Sequence, residues 1–517
     1  MQTEASPQDV SQPPRVIGPL QAFSVVAGSM LGVGIFLFAP KIAAHMGSGL
    51  GFLAMVVFGG IFAWAGSVAC GELGAMMPRA GGDYVYQREA FGPSLAFASG
   101  WVLFVAIFAG STASMSVAVF QYDVGPLIGV DFTEAVIGHV TTGHLGALGL
   151  IVVLTILNDL GADLSANVQT LLTISPLAAL VVIGVWGLTI GDWGAAAGTA
   201  TMTKPVDLGL AGLASAFMFT NFIFSGWINI IYVAAEVKDP GRTIPRSMVT
   251  STVVVTALYV LLGAAFMAVL GFGGLAETFE AGTAMADTLG GETLRLVVLL
   301  IITVAIITSI NATILAAARV GYAMARDGAF VKAVGRLSPT RGTPRIALWV
   351  QAGIALVLVV SGTFETIVKM TSIAMFVTGA LTVASVFVLR RKLPDLHRPY
   401  RATLYPWLPG LYVLLAVGAI IIATAQAINE AQTDLAGWFP LLGVGILGLA
   451  WVGHLLFRRN VRGALGVLVL FAVGFGALDR LGDPLESARA GTLNPPAPSR
   501  QPPEAALNRD VVEPPRR

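Results

Sequence analysis

Gly28-Ser29-Met30-Leu31-Gly32-Val33-Gly34-Ile35-Phe36 sets three glycines inside the first long apolar run of the chain. A glycine weakens a helix interior by about 1 kcal/mol relative to alanine. In hydrocarbon no water satisfies the backbone groups that a break would free. A break here therefore predicts that the freed N–H and C=O groups bind something, and at mid-run they would lie near the centre of a bilayer, placed to hold a small zwitterion. Helix packing is the competing reading, since Gly28 and Gly32 also fit a G-x-x-x-G face.

That the run lies in lipid follows from composition. Of 517 residues, 56% are hydrophobic and 11% charged, and the mean hydropathy is +0.80. Soluble domains carry about 25% charge. The chain reads as an all-α polytopic membrane protein with the bilayer as its main partner. A net charge of +1 provides no basic field, so nucleic acid is not expected to bind. The single cysteine, Cys70, excludes an internal disulfide framework and reads as a buried small hydrophobe. The polar start leads into an apolar run too long for a cleavable signal peptide, so the first helix is expected to insert and stay.

Windows of about 20 apolar residues place twelve spans. They cover residues 18–43, 49–76, 91–119, 146–161, 168–190, 209–236, 245–271, 294–325, 345–362, 366–390, 405–427 and 438–457. The expected layout is a disordered N-terminal tail at 1–15, a twelve-helix core at 16–457, a basic turn with a short embedded segment at 458–481, and a disordered Pro/Arg-rich tail at 482–517. The run 463–478 reads either as a short thirteenth span or as a half-inserted helix. Outside the final tail, only Lys41, Lys204, Arg295 and Lys369 of the 30 Lys and Arg lie near the side reached by odd-numbered loops. By the positive-inside rule the even-numbered loops and the N-terminus face the cytoplasm of the cell membrane.

Span six carries a second anomaly, Thr220-Asn221-Phe222-Ile223-Phe224-Ser225-Gly226-Trp227-Ile228-Asn229, with polar residues and a glycine breaking an apolar helix. Two interrupted helices in corresponding positions of two halves point to an inverted-repeat carrier with its site between them. Taken singly, the Asn residues also read as interhelical glue and the aromatics as packing.

Several separated motifs, in order, carry a family resemblance. They are residues 28–36, Met77-Pro78-Arg79-Ala80-Gly81-Gly82-Asp83-Tyr84-Val85-Tyr86, Phe224-Ser225-Gly226-Trp227, Glu236-Val237-Lys238-Asp239-Pro240-Gly241-Arg242, Ala323-Met324-Ala325-Arg326-Asp327-Gly328, and Arg390-Arg391-Lys392-Leu393-Pro394-Asp395. The chain resembles the amino acid-polyamine-organocation transporters, in particular the L-type amino acid transporter branch, over about residues 16–457. The resemblance implies a LeuT-like fold of five plus five inverted helices with two peripheral ones, moving amino acids by alternating access. It puts the substrate carboxylate on N–H groups of Gly32, Val33 and Gly34. The ammonium falls to carbonyls of Met30, Phe222, Ile223 and Ser225, and Phe224 and Trp227 form pocket wall and gate. A half-helix N-terminus, with roughly half a positive charge, suits the carboxylate.

Glu72 and Arg319 are costly charges inside spans and read as gate residues, joined with Arg79, Glu236 or Arg326 in a cytoplasmic ion-pair network. Helix-end snorkelling is the competing reading. Many relatives have a span-five lysine in place of a sodium ion, but the register here gives Pro176. Thr308 and Ser309 in span eight offer hydroxyls to a sodium ion, though such hydroxyls also bond to their own helix. No organic cofactor is expected, and the coupling ion is left between Na+ and H+. The substrate stretch of span six, 220–229, has no acid or base, which favours a neutral amino acid. A polyamine carrier, an amino acid exchanger, and a receptor or channel on the same fold are the alternatives. Scattered histidines and the absence of H-E-x-x-H, G-x-S-x-G or a P-loop argue against an enzyme. The sequence carries no signal of oligomeric state.

Overall fold

In the computed structural model, residues 13–32, 34–137, 140–192, 209–361, 364–433 and 445 are described. Each of the first eleven expected spans carries helix, and the helices are numbered here by those spans. Span one comprises Pro19–Met30 and Gly34–Met46, span two Gly49–Met76, and span three Pro93–Ile128. Span four is Thr142–Asp159, span five Ala162–Ile190, and span six starts as Leu210–Ile223. Spans seven to eleven are Pro240–Glu277, Ala281–Arg326, Arg345–Ser361, Phe364–Lys392 and Trp407–Thr433. Among the described residues, eight helices are long and apolar enough to cross a membrane, and nine if the bent pair of span one counts as one crossing. Residues 1–12, the tail at 482–517, the run 463–478 and, Gly445 apart, the twelfth span lie outside the described residues, so those expectations are not met or refuted here.

Burial divides the helices as a bilayer requires. Spans five and eleven present rows of exposed apolar side chains, among them Val181, Val182 and Val185, and Leu414, Val417 and Ile421. In hydrocarbon such faces need no cover. The most extensive helix pair is span two against span seven, and it is antiparallel. Glycines make it close: Gly60 of span two faces Thr256, Gly71 faces Pro245, and Gly74 faces Ile244. Small residues let two backbones approach where no hydrophobic effect drives helices together. Ser67 and Thr252 add a hydroxyl bond of 2.9 Å across the same seam.

Both expected interruptions are present. The first helix ends at Met30 and resumes at Gly34, with axes 44° apart. Span six stops at Ile223 and continues as turns and two short 3-10 segments, Asn229–Ile231 and Ala234–Glu236. The three glycines of the first run divide their roles. Gly28 stays helical, and a Cβ on it would lie 2.3 Å from Thr173 Oγ1 and 2.5 Å from Gln169 Nε2, so it packs span one onto span five. Gly32 and Gly34 belong to the break.

The stretch between the expected spans seven and eight, which carries Glu277, Glu280, Asp287 and Glu292, is largely helical rather than a loop. Span seven kinks at Gly271 (φ 70°) and runs on to Glu277, and the helix from Ala281 kinks at Gly291 (φ 64°) before span eight proper. Phe272, Leu275, Ala281, Met285 and Ala286 are buried there. Their three- to four-residue spacing gives these short segments an apolar face that acidic composition hides.

Replacing Gly60 by Ala puts a methyl group 2.3 Å from Thr256 and should cost about 1–3 kcal/mol, whereas Gly149, with open space around it, should accept Ala freely. Thermal melts of the two purified variants check this, and equal melting temperatures would contradict the packing assignment.

Candidate functional site

Ser29, one residue before the end of the first half-helix, is where the two breaks meet. Its hydroxyl donates to Val25 O at 2.6 Å and accepts from Asn229 Nδ2 at 2.9 Å. Its carbonyl accepts from Ser309 Oγ of span eight at 3.0 Å. Gly226 lies against its backbone at φ 103°, and a Cβ there would sit 2.6 Å from Ser29 Cβ. Position 226 therefore demands glycine twice, for its left-handed backbone and for the closeness of span one.

Tyr259 of span seven reaches the same place from the other side. Its buried hydroxyl lies 2.5 Å from Met30 O and 3.2 Å from Ile223 O. These carbonyls end the helical portions of spans one and six, and one hydroxyl proton serves both. The expected ammonium partners thus converge on one point for Met30 and Ile223. Phe222 O is instead held by Ser225 N at 3.0 Å within the turn. Of the expected carboxylate donors, Gly32 N donates to Met30 O at 2.8 Å. Gly34 opens a helix whose first N–H groups have no intrahelical acceptor. Val33 lies outside the described residues.

The aromatics line this junction. Phe224 meets the Tyr259 ring at 5.2 Å, and Phe222 meets Phe38 edge-on at 5.0 Å. Trp227 is seated in a notch of span two at Gly66 and lies 6.0 Å from the Tyr412 ring. In this conformation Trp227 is an anchor between spans two, six and eleven.

Uncharged groups fill the crossing of spans one, five and eight. Thr173 Oγ1 donates to Gln169 O at 2.7 Å or to Ser24 O at 3.1 Å, and Gln169 Nε2 donates to Ser24 O at 3.5 Å. Gln169 Oε1 accepts from Asn311, Asn311 Oδ1 accepts from Asn158, and Asn158 Oδ1 accepts from Ser165, at 2.8, 2.8 and 2.9 Å. Thr308 donates to Val304 O or Leu172 O, and Ser309 to Ser29 O. A hydroxyl oxygen that donates its proton keeps lone pairs for a cation.

The charged residues form two separate groups rather than the single expected network. Arg319 grips Glu236 through Nε and Nη2 at 2.8 and 2.9 Å, both side chains 1% exposed. Glu236 O also accepts from Ile17 N at 2.9 Å, and Lys238 N donates to Ile17 O at 2.8 Å. One residue thereby ties the starts of spans one and eight's inner end to the end of span six. Glu72 belongs elsewhere, bonded by Arg390 at 2.9 and 2.6 Å, by Ala402 N at 2.7 Å, and paired with Arg398 at 3.4 Å. Arg79 pairs with Glu89 at 3.4 Å on the surface, and Arg326 is exposed at the end of span eight. A loop arginine 64% exposed gains little by leaving water, which is why it stays out of the buried pair.

The profile of the amino acid permease family matches residues 17–449. The chain belongs to this family. Among similar proteins, the cystine/glutamate transporter of Homo sapiens is 28% identical over 440 residues, covering 84% of this chain and 85% of that protein. The serine/threonine exchanger SteT of Bacillus subtilis (strain 168) is 27% identical, covering 81% and 92%. The large neutral amino acids transporter small subunit 2 of Rattus norvegicus is 27% identical, covering 84% and 81%. The permease is accordingly an amino acid transporter, and its family consists of transporters rather than enzymes.

Sequence reasoning missed Tyr259, Gln169 and Asn311 in the permease, each a polar residue within a long, largely apolar helix. It also missed Arg390 and Arg398 as partners of Glu72, more than 300 positions away. A polar side chain at mid-span was the available signal.

Arg319→Ala would leave the Glu236 carboxylate buried without its partner, a change that costs about 3–5 kcal/mol in comparable pairs. The double replacement Glu236→Leu with Arg319→Met should restore most of that. Melting of the three proteins in one detergent tests it, and a single variant as stable as the parent would contradict the pairing.

Proposed function

We propose that this permease is an alternating-access carrier of neutral amino acids in the cytoplasmic membrane, with ten of its helices arranged as two inverted sets of five and its N-terminus inside. The observation that carries the reading is the Tyr259 hydroxyl between Met30 O and Ile223 O. One donor already reaches both carbonyls, so an α-ammonium with three donors has the same two acceptors within its span. The α-carboxylate takes the half-helix N-terminus at Gly34, where unpaired N–H groups and the helix dipole favour an anion. Main-chain groups then read the part common to all amino acids, and Phe222 and Phe224 meet the part that varies.

The neutral preference rests on what surrounds the junction. Ser29, Asn229, Tyr259 and Ser309 are polar and uncharged, while Glu236 spends its carboxylate on Arg319. A polyamine or a cationic side chain would be buried there without a counter-charge, at a cost of several kcal/mol. The Glu236–Arg319 pair and the Ile17–Val237 backbone bridge act as the cytoplasmic gate. They join parts of spans one, six and eight that must separate for inward release. The even-loop cations support a cytoplasmic position for that end.

Exchange is favoured over net uptake by the naming of SteT as an exchanger. A sodium ion at Thr308 and Ser309 is the second reading of the energy source, supported by two hydroxyls on span eight, one of them bonded to Ser29 O of the broken span.

Counterflow into proteoliposomes loaded with unlabelled substrate tests the proposal. Labelled alanine, serine or leucine should accumulate transiently and spermidine should not, because only a carrier exchanges one bound substrate per cycle. Spermidine counterflow, or solute flux without counterflow, would contradict it. Unchanged flux on removal of sodium would eliminate the second reading. Arg319→Ala should alter turnover more than the dissociation constant, and a pure affinity change would argue against a gate.

A further inference from the structure

The loop between spans two and three carries a buried acid that none of the above uses. Asp83 begins the short helix Asp83–Phe91 and is 2% exposed. The glycines before it force the turn inward. Gly81 (φ 109°) would put a Cβ 2.4 Å from Ala323 of span eight, and Gly82 (φ 48°) would put one 2.5 Å from the Tyr232 ring. The turn is clamped to the inner half of span six at two points. Gly81 N donates to Tyr232 O at 3.1 Å, and the Tyr232 hydroxyl donates to Asp83 Oδ2 at 2.8 Å.

The other carboxyl oxygen is the anomaly. Oδ1 is buried and has no hydrogen bond among the described residues. The Thr382 hydroxyl of span ten interacts with the same carboxyl, but its proton goes to Thr378 O and its oxygen accepts from Gln87 Nε2. The titratable groups that face Asp83 are neutral ones: Cys70 of span two, Tyr86 of its own helix, Tyr232 of span six and Tyr412 of span eleven. The charges of the neighbouring elements are engaged elsewhere, Glu236 with Arg319, Glu72 with Arg390, Arg88 with Asp327, and Lys392 with Ala90 O at 2.6 Å. A carboxylate buried without a cation is far costlier than a carboxylic acid there.

We infer that Asp83 is a proton-binding site of the transport cycle, taking a proton on Oδ1 when the turn closes on Tyr232 and releasing it to cytoplasmic water when span six moves away. A proton on Oδ1 removes the uncompensated buried charge, while Oδ2 keeps the Tyr232 bond. Tyr232 lies one turn before Glu236, so the clamp and the ion-pair gate grip the same short segment. The site deepens the carrier reading and rests on it only for its role in the cycle, since the proton binding itself needs no substrate.

Burial pushes the carboxyl up from an ordinary 3.8 to about 7. The sign follows from linkage. Below about pH 4 the acid is protonated whether buried or exposed, so the closed clamp neither gains nor loses. Between about 4 and 7 the exposed form ionises first, and closure is disfavoured progressively as pH rises. Above about 7 the deficit is complete and constant.

Hydrogen–deuterium exchange of the peptide spanning residues 229–237, corrected for intrinsic rates, reads the clamp in purified permease without substrate. Protection should fall by about tenfold per pH unit between about 5 and 7. It should be flat in Asp83→Asn, which keeps the shape and cannot ionise. Tyr232→Phe should lower protection at low pH. Infrared titration of the unaltered protein gives an independent readout, a protonated-carboxyl band that disappears over the same interval. PH-independent protection in the parent, a matching slope in Asp83→Asn, or absence of the carboxyl band would each overturn the proposal. Failure of counterflow with the slope intact would reject the carrier reading and leave the proton site standing.

Discussion

A peptide group without a hydrogen-bond partner costs several kcal/mol in hydrocarbon, and this chain breaks two helices where that cost applies. The contact of Ser29 with Gly226 and Asn229 is the solution on which the rest depends. It sets the two ruptures back to back, so that each is capped by polar groups of other spans: Ser309 from eight, Tyr259 from seven, Asn229 from six. Gly226 makes the contact possible because no other side chain fits both its backbone conformation and its distance from Ser29. The breaks are thus stable without being inert, since every partner involved is neutral and can yield to a solute bearing stronger donors and acceptors.

Much of this architecture was legible in the sequence. The glycine cluster at 28–34 and the Asn/Ser/Gly run at 220–229 marked both breaks because paired weak points in corresponding helices go beyond what packing needs, although Gly28 itself serves packing. The starts and ends of the helices followed from hydropathy to within a few residues for spans two and nine. The stretch at 271–293 did not, because Glu277, Asp287 and Glu292 face outward while the apolar side of each short segment turns inward. Composition averages over both faces.

The site was legible as main chain and opaque as side chains. Broken-helix positions could be named from local residues, but which side chains complete them depends on crossings between distant spans. Tyr259 lies 229 residues from Met30, and Arg390 lies 318 from Glu72. No local spacing encodes such pairs. Glu236 and Arg319 were both recognisable as charges out of place, and their union follows from the same rule that made them conspicuous: a buried charge survives when its partner is buried with it.

The central claim is that main-chain dipoles at the two breaks hold the ammonium and carboxylate of an amino acid. Calorimetric titration of the purified permease with leucine, leucinamide and isopentylamine tests it most directly, since the three share a side chain and differ only in the groups the backbone would read. The account predicts that leucine binds and that losing the carboxylate charge, as in leucinamide, or the carboxylate itself, as in the amine, abolishes detectable affinity. An amine that binds as tightly as leucine would contradict it.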